Sequence, residues 1–150
     1  MPLEEVSDDE ILYRRFQIGH YPTCQLTGKK VISSQAFTDR TRKVSVDRAK
    51  INQDEPSKTK ILPTDGVVEL QAGKVRSVSD ISKNDAKGNL IQLQTLLVTA
   101  DPIKDEDGHP DNPAHALIYA SPDCDNRSVF NKVIEALALI ANVKIPPTNS

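Results

Sequence analysis

A helical stripe near the carboxyl-terminal end constrains the fold of this chain more than any other feature of its sequence. From residue 129 onward the apolar residues recur at the three- and four-residue spacing of an amphipathic helix. Asp125, Asn126 or Ser128 can supply the N-cap oxygen, and the Pro146-Pro147 pair forbids continuation. The sequence therefore predicts one helix that covers the face of a neighbouring layer. Its apolar stripe consists of Val129, Phe130, Val133, Ile134, Leu137, Ile140 and Ala141.

The segments before this stripe have the patterns of strands. Residues 43–49 alternate, with Val44 and Val46 on one face and polar side chains on the other, as in a half-buried strand. Residues 89–99 form the longest strand-like run, and we expect them to form the centre of the sheet together with residues 116–120. The sequence thus predicts an α+β fold, a mainly antiparallel sheet covered by a C-terminal helix. Further expectations are strands at residues 11–18 and 66–70, two helical turns at 72–78 and a surface loop at 50–64.

Length and composition predict one domain. A chain of 150 residues can bury a proper core, and we expect a single α+β domain over residues 10–146 after a disordered acidic tail over residues 1–9. The acidic tail is the opposite of a signal peptide, and no run approaches the ~18 apolar residues of a membrane span. These features predict a cytoplasmic protein with no membrane association. In that compartment Cys24 and Cys124 are expected to be free thiols.

Metal-binding patterns are incomplete. His20 and Cys24 have four-residue spacing, and His109 and His115 add further ligand types, but the paired Cys or His signatures of zinc sites are missing. The acidic loop that begins at Asp105 lacks the glutamate that a calcium loop has at its twelfth position. We therefore predict no metal and no cofactor.

A polar cluster is the strongest candidate for catalysis. No nucleophile lies in a frame such as Gly-x-Ser-x-Gly, but Asp47, Arg48 and His115 could converge in a small hydrolase or transferase. Adjacent residues on a strand point to opposite faces. Asp47 and Arg48 therefore share a pocket only if the strand is bulged or has ended, and we expect one of them to be structural. We expect His115 to bond the backbone of its loop.

Charge is unevenly distributed along the chain, although its net charge is only −2. Residues 101–125 include seven acidic residues and only one lysine, whereas residues 29–50 are strongly basic. Such asymmetry is typical of a partner-binding face or of a solvated surface. The basic segment could also contact the phosphates of a nucleic acid, although it lacks interleaved aromatic residues. Its basic residues are Lys29, Lys30, Arg40, Arg42, Lys43, Arg48 and Lys50.

Three short patterns carry a family resemblance. The Ser-x-x-Phe pattern ending at Phe37, the Ser-Val-Asp-Arg-Ala pattern of residues 45–49 and the Asn-Pro-Ala-His-Ala pattern of residues 112–116 occur in this order. In this respect the chain resembles a group of small, uncharacterised bacterial proteins with no assigned activity. The resemblance implies a bacterial cytoplasmic origin. It also implies one cluster formed by Ser34, Phe37, Asp47, Arg48, Asn112 and His115.

Together these patterns favour a small accessory or binding protein that acts through a protein partner. The alternatives are a small enzyme that uses Asp47, Arg48 and His115, and a nucleic-acid accessory subunit that uses residues 29–50. Stoichiometric co-purification, small-molecule turnover and salt-dependent retention on nucleic acid distinguish the three. The predicted binding residues are Ser34, Phe37, Asn112, His115, Lys29, Lys30, Arg40, Arg42 and Lys43.

Overall fold

The computed structural model of this chain describes residues 5–148. It contains a seven-stranded antiparallel sheet and two α-helices, so the predicted α+β fold is confirmed. The strands lie in the spatial order β4-β5-β6-β2-β1-β3-β7. Their bounds are Ile11–Phe16 (β1), Val44–Arg48 (β2), Gly66–Gln71 (β3), Ile81–Asn84 (β4), Leu90–Ala100 (β5), His115–Ser121 (β6) and Asn142–Ile145 (β7). The helices are Ala72–Arg76 (α1) and Arg127–Ile140 (α2).

The main core lies between one face of the sheet and α2. The helix begins after Asn126, whose side chain accepts a hydrogen bond from the Val129 N–H at 3.0 Å. Its buried stripe packs on alternate residues of the central strands. A short 3₁₀ helix, Ser34–Phe37, and α1 complete this layer. The buried side chains of this layer and sheet face include Leu12, Phe16, Phe37, Val46, Leu70, Leu96, Ile118, Val129 and Leu137.

The opposite face of the sheet, which we call the open face, is only partly covered. The loop of residues 49–64 lies over β1 and β3, where Tyr13, Ala49 and Val67 form a small second core. Glycine is required at position 66, the first residue of β3, because a Cβ there would lie 2.6 Å from the Phe16 ring. Over β5 and β6 the alternate side chains Leu97 and Tyr119 remain partly exposed.

The strand order corrects one expectation from the sequence. We expected β5 and β6 to form the sheet centre, but the central strand is β2, and β5 lies next to the β4 edge. The two edge strands, β4 and β7, were not predicted. Each is four residues long, too short for a clear alternating pattern.

Several other expectations concern the chain ends, the cysteines and the membrane. Residues 1–4 of the predicted tail lie outside the described residues, and Val6 is buried in the main core. The single-domain boundaries stay a prediction. Cys24 and Cys124 are both unbridged. None of the helices within residues 5–148 has the length and apolar character needed to cross a membrane.

Candidate functional site

Asp47 and His115 are neighbours on the open face. β2 and β6 pair in antiparallel register with Asp47 directly opposite His115, and side chains at such paired positions point to the same face. The loop of residues 50–64 and the loop of residues 105–113 flank this position. The structure therefore brings two of the three predicted cluster residues together.

Both carboxylate oxygens of Asp47 are already bonded within the chain. Oδ1 accepts a hydrogen bond from Asn112 Nδ2 at 2.8 Å, and Oδ2 accepts one from Thr59 Oγ1 at 2.8 Å. Asn112 also accepts a hydrogen bond from the Ala114 N–H through its side-chain oxygen at 3.1 Å. Asp47 thus links the two loops that border the open face, which is a positioning role.

His115 is held by the residue that faces it across the start of β6. Its Nδ1 lies 2.9 Å from the Asp101 carbonyl oxygen and 3.2 Å from Asp101 Oδ2. Both neighbours are acceptors, so Nδ1 carries the proton in this arrangement. The ring therefore bonds backbone at the point where the loop enters the strand.

Arg48 lies on the opposite face and does not join this pair. It is 3% exposed and forms a two-point ion pair with Glu10, with Nε 2.8 Å from Oε1 and Nη2 2.9 Å from Oε2. Strand alternation separates it from Asp47, as expected for a regular strand. Glu10 was not identified from the sequence as its partner.

The remaining predicted residues are spread over several places. Phe37 is fully buried in the main core, whereas Ser34 is partly exposed beside α2. Lys30 lies over the Tyr21 ring at 5.8 Å and Lys43 over the Tyr119 ring at 4.8 Å. Arg42 donates to the backbone carbonyl of Asp125, while Lys29 and Arg40 are exposed.

Arg14 was not among the residues predicted from the sequence. The ladder between β1 and β2 comprises only the pairs Leu12↔Arg48 and Tyr13↔Asp47, whereas β1 pairs with β3 along its whole length. Beyond Tyr13 the two strands lose their pairing, and we call this gap the fork. Arg14 donates from Nη1 to the Ser45 carbonyl oxygen there at 2.8 Å.

The fork opens into a cavity, which we call the fork cleft. It has a volume of about 1110 Å³ and is bordered by β1, β2 and the two loops that Asp47 joins. Five cationic residues line it, together with three aspartates. The cations are Arg14, Arg15, Arg40, Lys58 and Lys60, and the aspartates are Asp39, Asp47 and Asp111.

A second feature of the open face is a row of exposed aliphatic residues on β5. Leu93 and Ile91 are 61% and 58% exposed, and Leu97 is 37% exposed. They alternate with the buried residues Leu96 and Val98 along the same strand. Contiguous exposed apolar side chains are typical of interaction surfaces.

Comparisons with known proteins give no family for this chain. No protein-family model, no curated protein and no solved structure matches it. Within residues 5–148 no group of three or more His, Cys, Asp or Glu side chains has the geometry of a metal site. The resemblance to small bacterial proteins stays a prediction, and the functional argument depends on the geometry described above.

Replacing Asp47 or His115 should reduce stability. In Asp47→Asn, the new amide group would face one of the two donors that the carboxylate now accepts, so the free energy of unfolding should fall by about 1–3 kcal/mol. His115→Ala should cost about 1 kcal/mol, because it removes the bond to the Asp101 carbonyl. Urea unfolding of each variant measures the loss.

Asp107→Asn is the matched control for this measurement, since Asp107 is exposed on the same loop. We expect it to change stability by less than about 0.5 kcal/mol. Wild-type stability in both Asp47→Asn and His115→Ala would contradict a scaffolding role and would favour the enzyme alternative.

Proposed function

We propose that this chain is a small binding or accessory protein of the bacterial cytoplasm that acts through a protein partner. The observation that carries the proposal is the open face itself. Two loops held together through Asp47 border it on one side, and a row of exposed aliphatic side chains follows β5 on the other. A rigid sheet bordered by ordered loops is a common support for recognition.

The contacts of the polar cluster favour binding over catalysis. A general base needs a free lone pair within reach of the proton that it removes. The Asp47 oxygens are bonded to Asn112 and Thr59, and Arg48 is paired with Glu10 on the other face. Each Asp47 oxygen keeps a second lone pair, so the enzyme alternative would have to use that lone pair or His115, without Arg48.

The contacts of the basic segment also favour a protein partner over nucleic acid. Lys30 and Lys43 lie over tyrosine rings and Arg42 bonds a carbonyl oxygen next to α2. These three cations are therefore engaged within the chain, whereas Lys29 and Arg40 of the same segment are exposed. Nucleic-acid binding would predict strong retention on DNA or RNA at low salt that falls steeply with added salt.

Co-purification from the native host with matched surface variants tests the proposal. Leu97→Asp places a charge in the aliphatic row on β5, whereas Leu139→Asp places one on α2, where Leu139 is 88% exposed. We expect a stoichiometric protein partner that is lost with Leu97→Asp and retained with Leu139→Asp. Both variants should remain folded, which circular dichroism can verify.

Two outcomes would overturn the proposed function. A partner-free protein that converts a small molecule, with turnover lost in His115→Ala, would favour the enzyme. Equal recovery of every protein by wild type, Leu97→Asp and Leu139→Asp would show that the open face does not mediate the interaction.

A further inference from the structure

The fork is a break in an otherwise continuous sheet. The Ala49 N–H donates to the Ile11 carbonyl oxygen at 2.9 Å, so every second pair from there along β1 and β2 belongs to the hydrogen-bonded type. A continued ladder would join Arg15 to Ser45 through their backbones. The Ser45 carbonyl oxygen instead accepts from Arg14 Nη1. A side-chain cation has therefore taken the place of a backbone donor.

Arg14 has no anionic partner among the described residues. Its Nε donates to the Ala36 carbonyl oxygen and its Nη2 to the Thr38 carbonyl oxygen, both at 2.8 Å. Its three acceptors are the carbonyl oxygens of Ala36, Thr38 and Ser45, and all of them are neutral. A guanidinium has five N–H donors, so two remain for another acceptor. Asp39 is an opposing charge that acts on Arg14, but the two form no ion pair.

This placement makes the positive charge of Arg14 energetically unfavourable. Burial lowers the pKa of Arg14 below its ordinary value, Asp39 opposes that effect and Arg15 adds to it. Arg14 is only partly exposed, and a charge that is partly removed from water is normally paired, because water compensates it less. An anion beside Arg14 would remove this cost.

The lining of the fork cleft supplies further cationic groups. Arg15, Arg40 and Lys58 are exposed, and Lys60 is partly exposed. Together with Arg14 they exceed the three aspartates by two charges, and Asp47 already accepts two hydrogen bonds.

An unsatisfied histidine atom lies in the same lining. The Nδ1 atom of His20 is buried and has no hydrogen-bond partner in the described structure. Buried polar atoms are nearly always bonded, but this atom has almost no accessible surface, so the case for a ligand depends on Arg14 and the other cations of the lining.

The size of the cleft is sufficient for a chain segment. Pockets for small ligands have volumes of roughly 300–1,000 Å³, and the fork cleft, at about 1110 Å³, is larger and open to solvent. An extended acidic peptide can place one carboxylate at Arg14 and others at the cations nearer the mouth.

We propose that the fork cleft binds an acidic peptide segment of the protein partner, with one of its carboxylates at Arg14. The inference rests on the proposed function, since it names the chemistry of the partner. It assigns Arg14 to the base of the cleft, and Arg15 and Lys60 to contacts with neighbouring carboxylates.

Fluorescence anisotropy of a labelled octaglutamate peptide, with octaglutamine as the uncharged comparison, tests the inference on the full-length chain. At low salt octaglutamate should bind and octaglutamine should not. Added salt should weaken the binding because it screens exposed charges. Octaglutamate should also raise the melting temperature, since a ligand of the folded state stabilises it.

Two matched lysine variants locate the site. Lys60→Met removes a cation from the cleft, whereas Lys87→Met removes an exposed cation from the turn between β4 and β5. We expect Lys60→Met and Arg15→Met each to weaken octaglutamate binding by about three- to tenfold, and Lys87→Met to leave it unchanged. Arg14→Met should abolish it. If Arg14→Met does not fold, the octaglutamate affinities of Lys60→Met and Arg15→Met still test whether the peptide binds in the fork cleft.

Three results would overturn the inference. They are absence of octaglutamate binding at low salt, equal weakening by Lys60→Met and Lys87→Met, and tighter binding of succinate, inorganic phosphate or octathymidylate than of octaglutamate. If the partner is lost with Leu97→Asp but retained with Arg15→Met, the proposed function is still supported. Only the inference that an acidic segment of the partner binds in the fork cleft is then wrong.

Discussion

Replacing Arg48 with methionine should lower the free energy of unfolding by about 3–5 kcal/mol. Glu10 is only 6% exposed, and the substitution removes the guanidinium group that bonds both of its carboxylate oxygens. The other contacts of Glu10 include the Ser7 N–H at 2.7 Å, Ser7 Oγ at 3.4 Å and Lys50 Nζ at 3.6 Å, and the lysine side chain is 41% exposed. An uncompensated buried charge costs far more than the pair itself contributes.

The comparison variant is Lys83→Met. The Lys83–Asp123 pair has a similar separation of 2.6 Å, but both side chains are about 30% exposed, and exposed pairs contribute about 0–1 kcal/mol. Urea unfolding should therefore show a small loss for Lys83→Met and a large one for Arg48→Met. The double variant Glu10→Leu with Arg48→Met should recover much of the loss, because it removes both charges. Equal losses in Arg48→Met and Lys83→Met would contradict this account.

The Arg48–Glu10 pair should make the free energy of unfolding depend on pH. Burial alone would raise the pKa of Glu10. The hydrogen bonds from Arg48 and Ser7, with the charges of Arg48 and Lys50, outweigh burial and hold that pKa below its ordinary value of 4.5. A lowered carboxyl pKa means that the stabilisation is fully present above pH 4.5 and is lost as the pH falls through the lower folded pKa. Glu10→Gln should be less stable than wild type at about pH 7, and the difference should shrink below about pH 4.

Local patterns predicted five of the seven strands and both α-helices, but not the order of the strands in the sheet. The stripe of α2 and its cap at Asn126 were readable because helix periodicity and capping are properties of neighbouring residues. The position of β2 at the sheet centre depends on its pairing with β6 and β1, which are distant in sequence. No local signal specifies such pairings, so β5 and β6 were wrongly expected at the centre.

The candidate site was predictable to a similar extent. Period-two alternation is by itself enough to place Asp47 and Arg48 on opposite faces of a strand. Asp47 accepts hydrogen bonds from two loop residues, Asn112 and Thr59, and no local sequence pattern predicts these contacts. Arg14 did have a signal, because it stands between Leu12 and Phe16 at alternate positions and so belongs to their buried face. A cation at such a position predicts either a paired charge or a site.

Replacing Leu137 with alanine should lower the free energy of unfolding by about 2–5 kcal/mol. Leu137 is fully buried at the centre of the α2 stripe, so truncation removes buried methyl groups and leaves a cavity against the sheet. Ile140 lies on the same stripe but is only partly buried, and its truncation should cost less. The matched control is Leu139→Ala, since Leu139 is 88% exposed on the same helix and its loss should cost less than about 0.5 kcal/mol. Thermal and urea unfolding of the three variants should rank them Leu137, Ile140, Leu139. A melting temperature unchanged in Leu137→Ala would mean that α2 does not pack on the sheet, and its apolar stripe would then be a docking surface.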